Sequence, residues 1–158
     1  SSDVCSSDLH QCFHLEDVAK MGSGMLIWLP EIEQPTLHHI MRAIYMARVA
    51  QGVLADTARA TYESFLKRGE DARKRLGSTD PGALAIVMRD FLTTGQYSQM
   101  QKRLDGIRLL PLDRRMVMDG TLELNQFPQI LAYWRSKSGP FSEIPVQEWA
   151  NMFQPLAA

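Results

Sequence analysis

Basic side chains concentrate in two stretches of this chain, and their type and spacing suit contacts with phosphate groups. Residues 67–75 hold five Lys and Arg residues against two acidic ones, a local charge of +3. Cations that meet on one face neutralise phosphates and release counter-ions, as nucleic-acid-binding surfaces do. The candidate phosphate-contacting residues are Lys67, Arg68, Lys74, Arg75, Lys102 and Arg103. No helix-turn-helix signature accompanies them, which favours a solvated helix surface instead.

Large aromatic side chains near the C-terminal end are the candidates for binding a protein partner. They are Tyr133, Trp134 and Trp149, and the first two are followed by Arg135 and Lys137. Exposed aromatic residues beside basic ones are typical of anchors in protein interfaces. Trp134 and Trp149 also fit the apolar stripes of predicted helices, which favours core packing. Tyr133 must then lean towards the boundary, since adjacent helical positions point about 100° apart.

Two adjacent histidines, His38 and His39, open a predicted helix. Their side chains point about 100° apart on a helix, so they do not chelate one metal ion from the same face. No H-E-x-x-H pattern is present. With Glu33 and Arg42 they could instead line part of an active-site cleft completed by a preceding segment. We otherwise predict no catalytic residue, no metal site and no cofactor.

The string from Asp119 to Phe127 is similar to the second half of an EF-hand calcium loop. Calcium needs oxygen ligands at several positions of that loop, including a carboxylate at its last position. Here the first position is Arg115 and the last is Gln126, so the required charge is missing. We therefore predict a turn that leads into a helix.

The overall composition is that of an ordinary globular domain, with 45% hydrophobic and 22% charged residues. The net charge of −1 gives no general bias towards nucleic acid or anionic membranes. Cys5 and Cys12 are the two cysteines, too few for a disulfide framework, and this usage favours a cytoplasmic protein. No apolar run approaches the length of a membrane-spanning helix.

The first nine residues resemble the translation of a short-read sequencing adapter, chiefly in the run Asp3–Leu9. Joins of this kind are typical of metagenomic assemblies. We expect residues 1–9 to be an artefact and residues 10–34 to form a poorly defined segment. Residues 35–158 are then predicted to be the helical C-terminal part of a longer protein.

Apolar residues recur at helical spacing through most of residues 35–158, and glycine and proline separate the stretches. Asp80-Pro81 is the clearest helix start, because a capping carboxylate precedes a proline at the first helical position. Gly69 is expected to interrupt the preceding helix. The pattern predicts an all-α fold, a compact bundle of five or six helices with one or two short extended segments. Candidates for extension are 25–29, 107–110 and 121–124.

A helical domain without a catalytic constellation points to a non-catalytic interaction or scaffold module. We predict a protein partner and a place in a larger bacterial or phage assembly. Two alternatives stay open: a nucleic-acid-binding domain that uses a basic face, and a fragment of an enzyme whose active site lies partly in a preceding region.

Overall fold

The structure, a computed structural model, describes residues 14–50 and 52–156. Seven α-helices lie in this part: α1 Leu15–Met21, α2 Gln34–Arg48, α3 Val53–Leu76, α4 Pro81–Thr94, α5 Tyr97–Leu104, α6 Phe127–Arg135 and α7 Val146–Ala150. Its four strands are β1 Gly24–Trp28, β2 Ile107–Pro111, β3 Met116–Asp119 and β4 Leu122–Asn125. A 3-10 turn, Gln154–Leu156, follows α7.

The predicted all-α bundle is wrong, because the four strands form two antiparallel two-stranded sheets and the fold is mixed α/β. In the first sheet β1 pairs with β2, from Gly24 opposite Pro111 to Trp28 opposite Ile107. The two partners are separated by four helices in sequence, α2 to α5. Each strand satisfies its backbone hydrogen bonds through distant groups, β1 through β2 and Thr79 and β2 through β1 and Gln34, so neither short run is decisive by itself.

The second sheet is the hairpin β3–β4, in which Met116 lies opposite Asn125 and Asp119 opposite Leu122. Gly120 occupies the connecting turn with a φ of 63°, a left-handed conformation that glycine adopts without steric cost. The predicted turn at this position is therefore present, but it joins two strands. Helix α6 begins only at Phe127, after the second strand.

Helix α2 lies at the centre of the larger hydrophobic core. Leu37, Met41 and Ile44 on α2 are fully buried, together with Ile27 of β1 and Leu110 of β2. Helix α3 covers the same core with Ala58 and Phe65. A smaller core joins α1, α3, α4 and the first sheet through Val18, Leu26, Ala72, Leu84 and Leu109. The first sheet thus packs against helices from both ends of the described chain.

The structure confirms one predicted helix boundary and contradicts another. The start of α4 is confirmed: the Asp80 side chain accepts a hydrogen bond from Gly82 N at 3.0 Å, with Pro81 following it. The expected interruption at Gly69 is wrong, because α3 continues through it to Leu76. A Cβ at Gly69 would lie 2.6 Å from Met25 Cε, so this glycine permits close packing of α3 against β1.

Within the described ranges no helix combines the length and apolarity needed to cross a membrane.

Candidate interaction surface

Trp28 at the end of β1 is the centre of the first of two tryptophan–arginine clusters. The guanidinium groups of Arg68 and Arg75 lie over its ring, at 5.5 Å and 4.0 Å from the centroid. Its indole Nε1 donates to the carbonyl oxygen of Asp105 at 3.2 Å. Gly106 must be a glycine here, because its φ is 78° and a Cβ would lie 2.5 Å from the indole nitrogen. The last turn of α5 is thereby held against this tryptophan.

Arg68 also makes polar contacts that use its charge within the fold. Its Nε donates to the Trp28 carbonyl at 2.9 Å, and its Nη2 donates to both carboxylate oxygens of Glu31 at 2.6 and 2.8 Å. Such bidentate, charge-assisted pairs are stronger than ordinary hydrogen bonds. The Arg68 guanidinium is thus occupied by a carboxylate from its own chain.

The predicted phosphate-contacting residues are only partly brought together. Arg68 and Arg75 share Trp28, and the Asp105 contact brings the end of α5, which carries Lys102 and Arg103, close to the same ring. Lys67 and Lys74 stand one position before those arginines on α3, rotated by about 100°. Asp71 lies between them on the helix surface. Because carboxylates interrupt this surface, the arrangement gives no support to a nucleic-acid partner.

The four residues proposed to line an enzyme cleft do not meet in one. His38 and Arg42 are each 3% exposed within the core, whereas Glu33 and His39 are exposed. The Nδ1 atom of His38 lies 3.0 Å from the carbonyl oxygen of Gln34, a local contact within α2. Although His39 lies at the surface, partial burial of its ring and the nearby charge of Arg42 lower its pKa below the ordinary value. Over the described residues, no three His, Cys, Asp or Glu side chains are grouped to hold a metal ion.

A separate group of tyrosine and arginine side chains lies on α2 and α3, and the sequence did not predict it. The Arg48 guanidinium lies over the rings of Tyr45 and Tyr62, at 5.3 and 5.0 Å, and its Nη2 contacts Asp113 Oδ2 at 3.2 Å. Its Nη1 is buried and finds no acceptor among the described residues. Tyr45 donates to the Pro111 carbonyl at 2.6 Å, and burial raises the pKa of Tyr45 well above its ordinary value. Only the i, i+3 spacing of Tyr45 and Arg48 could have signalled this group.

Trp134 on α6 is the centre of the second tryptophan–arginine cluster. It is 4% exposed and meets Phe127 edge to face, with ring centroids 6.2 Å apart. Phe127 contacts Tyr45 in the same way at 5.1 Å, and the Arg42 guanidinium lies 5.9 Å from the Trp134 ring centroid. Tyr133 is half-buried beside it. Trp149 belongs to α7, but its side chain lies outside the part that the structure describes.

A small pocket of about 30 Å³ adjoins Trp134, and we call it the donor pocket. Arg114, Arg115, Tyr45 and Phe127 are among the residues that line it. Trp134 Nε1 and Arg115 Nε are both buried, and within the described ranges neither has a hydrogen-bond acceptor. Arg114 uses its Nε to donate to the Gly22 carbonyl at 3.0 Å. The side chains that line the pocket therefore carry hydrogen-bond donors, but the two unsatisfied nitrogens are closed to solvent.

The hairpin β3–β4, whose base adjoins the donor pocket, exposes apolar side chains on both of its faces. Leu122 is 60% exposed and Leu124 40%, and because they alternate along β4 they share one face, so we call these two residues the hairpin patch. Met118, 64% exposed, pairs with Glu123 on the other face. Arg115 directly precedes β3, and its backbone N–H donates to Asn125 Oδ1 at 2.9 Å, at the end of β4. Arg115 thus belongs both to the base of the hairpin and to the wall of the pocket. An exposed apolar patch of this kind is suited to binding another protein.

Comparison with known proteins relates this chain to a component of a protein apparatus. It is 30% identical over 105 residues to the type 4 apparatus protein DotN of Legionella pneumophila, and the match covers 64% of this chain. The matched part covers 49% of DotN, so the chain spans about half the length of that relative. No protein-family model matches the chain. The prediction of a component of a larger assembly is thereby supported in its coarse form.

Proposed function

We propose that this chain is a non-catalytic interaction module of a bacterial type 4 apparatus, and that it holds a protein partner through the hairpin patch. The observation that carries the proposal is the 30% identity to DotN over 105 residues. The chain spans about half of that relative, so the proposal concerns an interaction made by this part. A cytoplasmic location, predicted from the cysteine content, belongs to the same proposal.

The hairpin patch is the surface that the proposal assigns to the partner. Among the described residues the two four-residue strands pair only with each other, and β4 is exposed along its whole length, so its outer edge is open to pairing with another chain. A two-stranded hairpin is marginally stable by itself, and burial of Leu122 and Leu124 against a partner would remove apolar surface from water. Ile86, by contrast, is 60% exposed as a single residue on α4.

A co-purification experiment with a matched pair of variants tests this function. The tagged full chain is expressed together with each component of a type 4 apparatus in turn, and the amount recovered with the tag is measured. We expect one component to be recovered in stoichiometric amount. Leu122→Asp should weaken that complex by about 30-fold, as loss of an interface anchor does.

Ile86→Asp is the matched control, because both side chains are 60% exposed in the isolated chain. It should bind as the unmodified chain does, and thermal unfolding confirms that both variants fold. Recovery of no apparatus component with the unmodified chain would overturn the proposal. Equal loss in both variants would remove the hairpin patch from it.

A further inference from the structure

Resting on the proposed function, we infer that the partner adds an extended segment to the outer edge of β4, and that this segment alternates apolar and basic side chains. Its apolar side chains cover the hairpin patch, and a Lys or Arg lies opposite Glu123. The open edge of β4 sets the mode of binding, and the charge of the hairpin sets the chemistry of the segment.

The first sheet shows how this fold pairs the edges of its strands with its own groups. On β2, the side-chain amide of Gln34 donates to the Leu109 carbonyl at 2.7 Å and accepts from the Leu109 N–H at 2.8 Å. The Tyr45 hydroxyl donates to the Pro111 carbonyl at 2.6 Å, and Pro111 has no N–H of its own. The Gln34 amide thus takes the position that a peptide group of an added strand would occupy.

The other edge of the first sheet, on β1, is paired in the same way. The Leu26 N–H donates to the Thr79 carbonyl at 2.8 Å, and the Trp28 carbonyl accepts from Arg68 Nε at 2.9 Å. An open edge strand is a template for another chain, and folded proteins cover such edges unless they use them. At these positions both edges of the first sheet are occupied by groups of the same chain.

The hairpin differs from the first sheet at the outer edge of β4. The Gln126 N–H donates to the Arg115 carbonyl at 2.9 Å, and opposed residues of antiparallel strands alternate between bonded and unbonded pairs. In this register the backbone groups of Leu122 and Leu124 point towards β3, and those of Glu123 point outwards. Within the described chain no other group bonds to the Glu123 backbone, and β4 is exposed along its whole length.

The outer edge of β3 is less accessible than that of β4. Helix α1 contacts β3, and Met116 and Val117 are half-buried, whereas every residue of β4 is exposed. Just before β3, Arg114 Nε donates to the Gly22 carbonyl at 3.0 Å, which holds the start of the hairpin against the end of α1. The side of the hairpin that is open to another strand is therefore the β4 side.

Two unpaired carboxylates determine the charge of the added segment. Asp119 and Glu123 are exposed, and in the part of the chain that the structure describes neither forms an ion pair. Glu123 lies between Leu122 and Leu124 in β4, so its side chain is on the face opposite the hairpin patch. Opposite charges that face each other across neighbouring strands stabilise a sheet. The segment therefore places a Lys or Arg opposite Glu123 and its apolar side chains over the hairpin patch.

A second copy of this chain is the competing occupant of the edge, and charge disfavours it. One antiparallel register pairs both leucines of the hairpin patch with those of the other copy. That register also places Glu123 directly opposite the same residue of the other copy. Like charges in directly opposed positions destabilise a sheet, so a different chain with a basic residue is favoured.

Hydrogen exchange of the backbone amides in the full chain, followed by nuclear magnetic resonance, tests the inference. The probe is a blocked peptide of sequence Thr-Val-Lys-Val-Thr, and its matched control is Thr-Val-Glu-Val-Thr. In the free chain, the Leu122 and Leu124 amides should exchange more slowly than the Glu123 amide, because only they are bonded to β3. The Lys peptide should slow exchange at Glu123 about fivefold or more, and the Glu peptide should leave it unchanged.

Two variants with the same change of charge show whether Glu123 selects the peptide. Glu123→Lys should reverse the preference, so that the Glu peptide binds more tightly than the Lys peptide. Glu63→Lys, at an exposed position of α3, should keep the preference of the unmodified chain. Thermal unfolding confirms that both variants fold. An unchanged preference in Glu123→Lys would contradict the assignment of the basic residue.

Three further results would overturn the inference. If neither peptide slows exchange at Glu123, no segment adds to β4. Equal slowing by both peptides removes the basic residue from the proposal. Slowing that grows with protein concentration without peptide, together with a dimer in sedimentation, makes a second copy the occupant. None of these results contradicts the proposed function, provided that Leu122→Asp still weakens the complex with the apparatus component.

Discussion

The two tryptophan–arginine clusters of this protein are built from the same side chains and differ in how completely their polar groups are satisfied. Around Trp28, the indole N–H donates to Asp105 and the stacked Arg68 binds Glu31. Around Trp134, the indole N–H has no acceptor in the described chain, and neither does the Nε of the adjacent Arg115. The polar groups named in the first cluster all have partners within the fold, whereas the second cluster has two donors without an acceptor in the described chain.

That difference separates arginine side chains that the fold uses fully from donors that the fold leaves without an acceptor. A guanidinium that stacks on tryptophan and pairs with a carboxylate contributes to folding and has little left for a ligand. A buried donor without an acceptor lowers stability until something supplies one. Arg68 and Arg75, two of the basic residues predicted from the sequence, lie at the first cluster, and the surface that we propose for a partner adjoins the second.

The largest expected effect is that of removing the buried ring of the second cluster. Trp134→Ala should lower the free energy of unfolding by about 3–5 kcal/mol, because it opens a cavity between α6 and α2. Trp28→Ala should cost less, since that ring is only partly buried. Urea denaturation of the two variants measures both values. A larger loss for Trp28 would reverse the assignment of Trp134 to the core.

A smaller effect isolates the two indole N–H groups while the rings stay in place. Trp28→Phe should cost about 1 kcal/mol, because the Asp105 carbonyl loses its donor. Trp134→Phe removes a donor that has no acceptor, so its loss of free energy should be smaller than that of Trp28→Phe despite deeper burial. Equal costs in urea denaturation would mean that Trp134 Nε1 is already satisfied in the isolated chain.

The smallest expected effect concerns pH and reports on Arg42, which packs against Trp134. Burial and the Arg42 charge lower the pKa of His39 below 6.5 in the folded chain. The unfolded chain therefore takes up this proton at higher pH, so stability that is present above pH 6.5 is lost as pH falls through the folded pKa. We expect His39→Gln to lose less stability than the unmodified chain between pH 7.5 and pH 5. Thermal unfolding at the two pH values measures this, and parallel losses would contradict it.

Local signals predicted several elements because their physical cause lies within a few residues. Asp80 and Pro81 specify the start of α4 through one side-chain hydrogen bond and one fixed backbone angle. Asp119-Gly120 between apolar residues is also a local hairpin signal, since the glycine tolerates the turn. That signal was present and was assigned to a turn before a helix. The candidate for extension at 121–124 is confirmed by β4, whereas β3 and its pairing with β4 were not predicted.

Other features have no local cause and were therefore missed. The register of β1 on β2 depends on a pairing across four helices, and neither strand exceeds five residues. A glycine at position 69 suggests the end of a helix in sequence. In the fold its missing side chain leaves room for Met25 of β1. The group around Arg48 joins residues of two helices and Asp113, which is 65 positions away. Only packing brings these side chains together.

The sequence by itself determined the helical periodicity, the helix start at Asp80, and which aromatic and basic residues are candidates for binding. These follow from chemistry that acts within one or two turns of chain. Only the tertiary structure decided that Arg68 is neutralised by Glu31, that Trp134 is buried with an unsatisfied donor, and that the hairpin patch stands beside it. Whether a polar group is satisfied depends on which distant atoms the fold brings to it, and local sequence does not specify that.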